Sequence, residues 1–205
     1  DTCIWGGAET GVGAVIQTTV ALDAASDSCT SPKDYTEQIL NTKSGTNDVM
    51  TVGGTYLTFL VGSTRPASGM KIYVSTANTT ANTVVIKEST AGSWTALTAL
   101  TDTTRVAGKS LAVTGSITWA TTVASTKPKY LEGYYLYWYQ ITLSAALATT
   151  AVYHITLDCP FQDIIDLWDG VYRDIGRFDV YTSSQADTSV NVYRDDYDAT
   201  SSYSY

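Results

Sequence analysis

Apolar and polar residues alternate along the middle of the chain, from Lys109 to Trp119. Leu111, Val113, Ile117 and Trp119 occupy odd positions, and the even positions between them carry small or polar side chains. A half-buried strand needs this two-residue period, because successive side chains point to opposite faces of a sheet. The segment therefore predicts a strand with one face in a core.

Similar short patterns recur on both sides of this segment. A possible helical turn falls at residues 34–40, and Gly, Pro, Asn and Ser turns separate most of the apolar segments. Regularly spaced short strands are typical of β-sandwiches and jelly rolls. We predict an all-β fold, an antiparallel and jelly-roll-like β-sandwich, with strands at residues 10–22, 55–63, 70–76, 83–88, 94–97, 109–119, 130–147 and 150–157.

The pattern divides the chain into three parts. Residues 1–50 form an N-terminal strand and loop segment, 51–160 the β-sandwich module, and 161–205 an extended C-terminal arm or the start of a further module. The last part is too thin to form its own core. A strand donated to another subunit would cover that subunit's open edge, which gives such an arm a physical role. Starting at Asp1, the chain suggests a processed protein or a segment of a longer one.

Charge and hydropathy argue against two classes of partner. The 205 residues carry a net charge of −8, which repels phosphate backbones and argues against nucleic-acid binding. No apolar run reaches the length of a membrane-spanning helix, so we expect no membrane partner either.

Three cysteines leave at least one outside any internal disulfide. Cys3 and Cys29 flank the first predicted hairpin and form a candidate disulfide, which only an oxidising compartment would sustain. The alternative is two inert buried thiols. Cys159 directly follows a predicted strand.

Little in the sequence points to catalysis. His154 is the only histidine and lies within a predicted strand, where we expect a hydrogen-bonded sheet residue. No HExxH, CxxC or GxSxG motif occurs. We predict no enzyme activity, no catalytic residues and no cofactor.

Two groups of aspartates are weak candidates for calcium ligands, since Ca²⁺ prefers carboxylate oxygens. Neither group has the spacing of an EF-hand loop, and the alternative is that both are solvated turns. The candidates are Asp163, Asp166, Asp169, Asp195, Asp196 and Asp198.

An aromatic run between Tyr130 and Tyr139 lies on the longest predicted strand. Alternation places Leu136 and Trp138 in one layer, with Tyr135, Tyr137 and Tyr139 on the other face. Core or subunit contacts would use these rings, and the alternative is a surface that stacks against a glycan. A formal glycosylation sequon occurs at Asn78-Thr79-Thr80.

Four spaced motifs carry a resemblance to a known module: Ser93–Leu97 (SWTAL), Gly115–Trp119 (GSITW), Tyr137–Ile141 (YWYQI) and Ser144–Leu147 (SAAL). In this order they resemble a module widespread in tailed-phage and prophage virion proteins. The resemblance spans about half of the chain, from Lys71 to Arg173. The chain has Gln140 where that module often has Arg, which puts any ion pair at this position in doubt.

The resemblance implies a β-sandwich building block of a virion: a decoration, collar, tail or fibre component of a bacteriophage particle. We therefore expect a non-enzymatic structural protein that packs against copies of itself and against other virion proteins. The alternatives are a carbohydrate-binding or adhesion module that meets a host-surface glycan, or a subunit of an extracellular filament. The predicted assembly interface comprises Trp168, Tyr172, Phe178, Tyr181, Tyr193, Tyr197, Tyr203 and Tyr205.

Overall fold

The computed structural model describes residues 9–25, 27–40, 49–120, 122, 124–147 and 149–159, and the backbone of two short strands at 191–192 and 203–204. Strand accounts for 51% of the structure and helix for 4%, which confirms the predicted all-β class. The elements in chain order are β1 (Glu9–Gly11), β2 (Ala14–Thr18), β3 (Lys33–Asp34), α1 (Thr36–Leu40), β4 (Met50–Val52), β5 (Thr58–Ser63), β6 (Gly69–Thr76), β7 (Val84–Thr90), β8 (Ser93–Ala96), β9 (Thr101–Asp102), β10 (Gly115–Thr118), β11 (Pro128–Leu131), β12 (Tyr134–Leu143), β13 (Thr150–Asp158), β14 (Asn191–Val192) and β15 (Tyr203–Ser204).

Two antiparallel sheets make up the unit from Glu9 to Pro160. Sheet 1 has six strands in the order β1-β13-β6-β10-β9, and β4 also pairs with β13. Sheet 2 has seven strands in the order β3-β2-β5-β12-β7-β8, and β11 also pairs with β12. These sheets confirm the antiparallel sandwich, and its jelly-roll character stays a prediction. In the second unit, β14 and β15 pair antiparallel with each other.

The main core lies between the two sheets. Ile72 and Ile155 enter it from sheet 1, and Phe59 and Ile141 enter it from sheet 2; all four are completely buried. Each such side chain contributes roughly 1.5–3 kcal/mol by leaving water. Burial of one face of each strand is therefore the main force that holds the sheets together.

The first predicted strand, residues 10–22, is two strands in the structure. β1 pairs with β13 in sheet 1, whereas β2 pairs with β5 in sheet 2. The chain changes sheet near Gly13, where an added Cβ would lie 2.9 Å from Leu136 Cδ1. The close approach explains the glycine at this point.

Strand β2, which belongs to the predicted N-terminal segment of residues 1–50, pairs within the sandwich. β2 lies inside sheet 2, between β3 and β5, and all five of its residues are buried. Val15 packs in the main core on one face, while Ile16 packs in a second cluster on the other. β2 is thus an integral strand of the sandwich, because both of its faces are covered.

Helix α1 confirms the predicted helical turn, although it begins two residues later than residue 34. The Asp34 carboxylate accepts hydrogen bonds from the Thr36 backbone N–H at 2.9 Å and from the Thr36 hydroxyl at 2.6 Å. Such a side-chain bond favours a helix start. Ile39 is fully buried in the main core, so α1 packs against the sandwich through this residue.

The strand predicted at residues 109–119 is much shorter in the structure, where only Gly115–Thr118 forms β10. Leu111 has a left-handed φ of 59°, and its N–H donates to the Thr104 hydroxyl at 2.9 Å. Val113 is exposed rather than buried. Side-chain hydrogen bonds compete here with the sheet ladder for the backbone groups, so an alternating pattern occurs without a strand.

Candidate functional site

The outer face of sheet 2 carries a second apolar cluster. Trp138 alternates with Tyr139 along β12, so their side chains lie on opposite faces of the sheet. Tyr139 belongs to the main core and Trp138 to the second cluster, as the alternation predicted. The cluster comprises Ala14, Ile16, Leu22, Leu60, Trp94, Leu131 and Trp138.

A loop segment, residues 19–25 and 27–32, runs from β2 to β3, and we call it the strap. It contributes Leu22 to the second cluster, where this side chain is almost completely buried. The strap therefore covers apolar residues that would otherwise face solvent.

Gln140 of β12 holds the strap by two hydrogen bonds. Its side-chain Oε1 accepts from the Leu22 N–H at 2.6 Å, and its Nε2 donates to the Leu22 carbonyl at 3.2 Å. Gln140 is fully buried. Both bonds require one donor and one acceptor on the same side chain, which an amide has and a guanidinium lacks.

Asp27 makes a second attachment between the strap and the sheet. Its Oδ1 accepts from Trp94 Nε1 at 3.2 Å and from Lys129 Nζ at 2.5 Å. The Lys129 ammonium also lies 5.5 Å from the centre of the Trp94 ring, within the range of a cation–π contact. The strap is thus tied to both β8 and β11.

Cys29 is a third point of contact. Burial, the nearby Glu132 charge and a hydrogen bond to the Glu132 carboxylate raise the pKa of the Cys29 thiol to about 12. The thiol is therefore protonated at neutral pH and is a poor nucleophile.

Strands β11 and β12 form a tight hairpin. The turn residues Glu132 and Gly133 have φ values of 47° and 93°. Positive φ at both positions of a two-residue loop is the geometry of a type I′ turn, which matches the twist of the paired strands. The hairpin has a fixed register, which places Tyr130 opposite Tyr135.

Tyr130 and Tyr135 are each 68% exposed. They are the two exposed aromatic side chains in the part of the chain that the structure describes. Directly opposite residues on paired strands have Cβ atoms about 4.5–5.5 Å apart. The two rings therefore form one apolar patch, which we call the tyrosine pair.

Asp34 connects β3 with the start of β12 through the hydroxyl of Tyr134. Burial acts to raise the pKa of Asp34, but hydrogen bonds from Thr36 and from the Tyr134 hydroxyl, at 2.9 Å, outweigh it and lower the pKa. The same contact raises the pKa of Tyr134. Asp34 thus joins β3 to the start of β12 as an ionised carboxylate.

The predicted assembly residues lie largely outside the described part of the chain. Tyr203 is placed only as backbone in β15, opposite Val192. The other seven, Trp168, Tyr172, Phe178, Tyr181, Tyr193, Tyr197 and Tyr205, lie outside it. The interface stays a prediction.

The candidate calcium ligands Asp163, Asp166, Asp169, Asp195, Asp196 and Asp198 also lie outside the described residues. Within the described ranges, no group of three His, Cys, Asp or Glu residues is placed to hold a metal ion.

The cysteines divide in a similar way. Cys29 is a half-buried cysteine and Cys159 a buried one, whereas Cys3 lies outside the described residues. Buried Cys159 has its sulfur 3.5 Å from the Ser63 hydroxyl.

His154 contacts the backbone of α1. Its Nδ1 lies 2.6 Å from the Ile39 carbonyl oxygen, and its ring centre lies 5.2 Å from that of Tyr73. A carbonyl oxygen only accepts, so Nδ1 carries the proton. The histidine joins sheet 1 to the helix, as expected of a hydrogen-bonded sheet residue.

Asn78, the acceptor of the sequon, is buried. Its Nδ2 donates to the Thr80 carbonyl at 2.7 Å, to Asn82 Oδ1 at 2.8 Å and to the Ser110 carbonyl at 2.9 Å. The amide is enclosed by two loops that it joins. The folded chain therefore offers no accessible glycosylation site at Asn78.

Sequence reasoning singled out the aromatic run but not the pairing of Tyr130 with Tyr135. Glu132-Gly133 between two aromatic segments is a signal that could have found it, because a two-residue turn fixes which residues face each other. The contact between Gln140 and Leu22 joins residues 118 positions apart and has no comparable local signal.

Comparisons with protein-family models, with curated proteins and with solved structures found no match to this chain. Within the described residues, no helix combines the length and apolar character needed to cross a membrane.

Proposed function

We propose that this chain is a non-enzymatic structural protein of a bacteriophage virion, a decoration, collar, tail or fibre component. It acts by packing against copies of itself and against other virion proteins. The observation that carries the proposal is the tyrosine pair, Tyr130 and Tyr135, which is exposed on a hairpin of fixed geometry.

A tyrosine on a rigid strand loses little conformational freedom when a partner covers it. Covering one such ring contributes roughly 1.5–3 kcal/mol, and its hydroxyl can still reach water or a polar group at the rim. Aromatic residues of this kind are enriched at protein interfaces. The pair is therefore suited to a repeated contact between subunits.

The residues that carry the resemblance to virion modules support a structural role. Trp94 and Trp138 pack in the second cluster, whereas Trp119 packs in the main core against Tyr139, with ring centres 5.2 Å apart. Each has an indole N–H bonded to an internal acceptor. These motif residues build the fold and leave the tyrosine pair for contact.

Light scattering coupled to size exclusion, together with electron microscopy of the full chain, tests the proposal. We expect a multi-copy species. Its dissociation constant should rise at least tenfold in the double variant Tyr130→Ser/Tyr135→Ser. The matched control is Val85→Ser/Val106→Ser, which removes two other exposed apolar side chains and should leave assembly unchanged. A chain that stays monomeric at all concentrations, or an equal loss in the control, would contradict the proposal.

Deletion of residues 187–205 tests the separate prediction of a C-terminal arm. If the shortened chain assembles as well as the full chain, the arm is not the element that joins the subunits, and the tyrosine pair alone carries the proposal.

The tyrosine pair also favours a second function, the binding of a host-surface glycan. Two adjacent exposed rings can stack against the apolar face of a sugar, and a net charge of −8 favours neutral over acidic glycans. A glycan array read with the full chain and with the double tyrosine variant distinguishes the two functions. Binding that the variant loses supports the glycan, and a blank array removes it.

A further inference from the structure

Glu88 is a carboxylic acid inside the sandwich. It lies on β7 two residues after Ile86, so alternation places both side chains on the face that meets the main core. Only 3% of Glu88 is exposed. Its direct neighbours in sheet 2 are Tyr139 on β12 and Thr95 on β8.

The hydrogen bonds around Glu88 do not satisfy an ionised carboxylate. The Ser125 hydroxyl bonds to the carboxyl group, but Oε2 is buried and has no partner in the described structure. A charged carboxylate can accept about four hydrogen bonds, and a buried polar group without a partner destabilises the folded state. The neutral acid loses less hydration free energy on burial than the charged carboxylate does.

The surrounding groups offer little compensation. Tyr139 is the titratable group that faces Glu88, and its hydroxyl already bonds to the Ala67 N–H and the Thr122 hydroxyl, both at 2.7 Å. Burial, together with the Glu88 charge, raises the pKa of Tyr139, so this phenol stays neutral.

No cation of the described chain forms an ion pair with Glu88. Lys129, whose strand lies in the same sheet, forms its salt bridge with Asp27. Lys87, the next residue on β7, has its side chain on the opposite face by alternation. Lys127 meets Ser89 through its backbone, because its carbonyl accepts from the Ser89 hydroxyl at 2.7 Å.

We propose that Glu88 is a proton-binding site through which acidity stabilises the sandwich. The folded protein holds this proton more tightly than the unfolded chain does. Burial, the largest cause, raises the pKa of Glu88 above its ordinary value of 4.5 despite the bond from Ser125.

The sign of the effect follows from proton linkage. A group whose pKa is higher in the folded state stabilises the fold fully below its unfolded pKa, and this contribution is lost as pH rises through the folded pKa. Stability from Glu88 is thus present in acid and is lost above pH 4.5, as pH passes the raised pKa.

Urea denaturation of the full chain and of Glu88→Gln at a series of pH values tests the proposal. Gln resembles the protonated acid and cannot ionise. We expect the two proteins to differ least near about pH 4, and the variant to have the higher midpoint at about pH 8. The exposed Glu37→Gln is the matched control, and its difference from the parent chain should not follow this pH dependence.

A difference between parent and Glu88→Gln that is constant with pH would overturn the proposal. A second measurement does not depend on the variant's folding. The infrared spectrum of the parent chain at a pH just above the ordinary glutamate range should show the carbonyl band of a neutral carboxylic acid, which urea removes. No such band in the folded chain would also overturn it.

Discussion

Replacing Gln140 tests whether the strap is held by the two hydrogen bonds at Leu22. Gln140→Met keeps a similar side-chain volume and removes both bonds, so the Leu22 N–H and carbonyl lose their side-chain partner. Each buried group left unsatisfied costs about 1–3 kcal/mol. We expect the free energy of unfolding to fall by about 2–4 kcal/mol, since water will reach part of the loosened strap.

Urea denaturation followed by circular dichroism measures this loss. With a slope of about 2 kcal/mol per molar urea, the middle of the usual range for small proteins, the midpoint should fall by about 1–2 M. Tryptophan emission adds a local readout, because Trp94 and Trp138 lie in the cluster that the strap covers. Gln38→Met in α1 is the control of the same residue type, and it should cost less than about 0.5 kcal/mol.

Gln140→Arg sharpens the test. Arg can donate to the Leu22 carbonyl but cannot accept from the Leu22 N–H, and it brings a charge into a fully buried position. We expect it to be at least as destabilising as Met. A loss below about 0.5 kcal/mol in both variants would refute the reasoning, since the strap would then be held by its apolar contacts alone.

Three further predictions concern packing, thiol reactivity and pH. Gly62→Ala should destabilise by about 1–3 kcal/mol in urea denaturation, because the new Cβ would lie 3.0 Å from the Trp138 ring; a neutral effect would show that the ring can shift. The Cys29 thiol should react slowly with iodoacetamide at neutral pH, and Glu132→Gln should speed the reaction by lowering its pKa; equal rates would contradict the contact. The pKa of Asp34 is lowered, so the stability that it contributes should be present at neutral pH and lost as pH falls below the ordinary aspartate range. Asp34→Asn should therefore lower the free energy of unfolding at neutral pH and change it little in strong acid. A loss that does not depend on pH would count against the lowered pKa.

Alternation predicted the sandwich because the apolar and polar residues of each strand show which of its two faces is buried. It placed Trp138 and Tyr139 on opposite sides of β12 correctly, since their surroundings differ only by the direction of the side chain. It was wrong at residues 109–114, where Leu111 is buried in a loop and not in a strand. A residue buried in a loop and a residue buried in a paired strand are both apolar, so the sequence pattern does not distinguish them.

The candidate site was harder to predict because its contacts are distant in sequence. The strap joins the hairpin through Asp27 and Lys129, which are 102 positions apart. The burial of Glu88 was missed for a related reason: charged residues are read as solvent-facing unless a partner is known. The strand pairing, which places Glu88 beside Tyr139, shows that this position lies inside the sandwich.

The outermost strands of both sheets have a consequence for how the protein avoids unwanted self-association. In the described unit, β3 and β9 have two residues each, β1 and β4 have three, and β8 has four. An edge this short offers few free amides to a foreign strand, so fibril-like growth along the backbone ladder is disfavoured. A β-rich chain of this kind can reach a high local concentration, as in a repeating lattice, without pairing through its backbone. Side-chain contacts then determine which neighbours it binds.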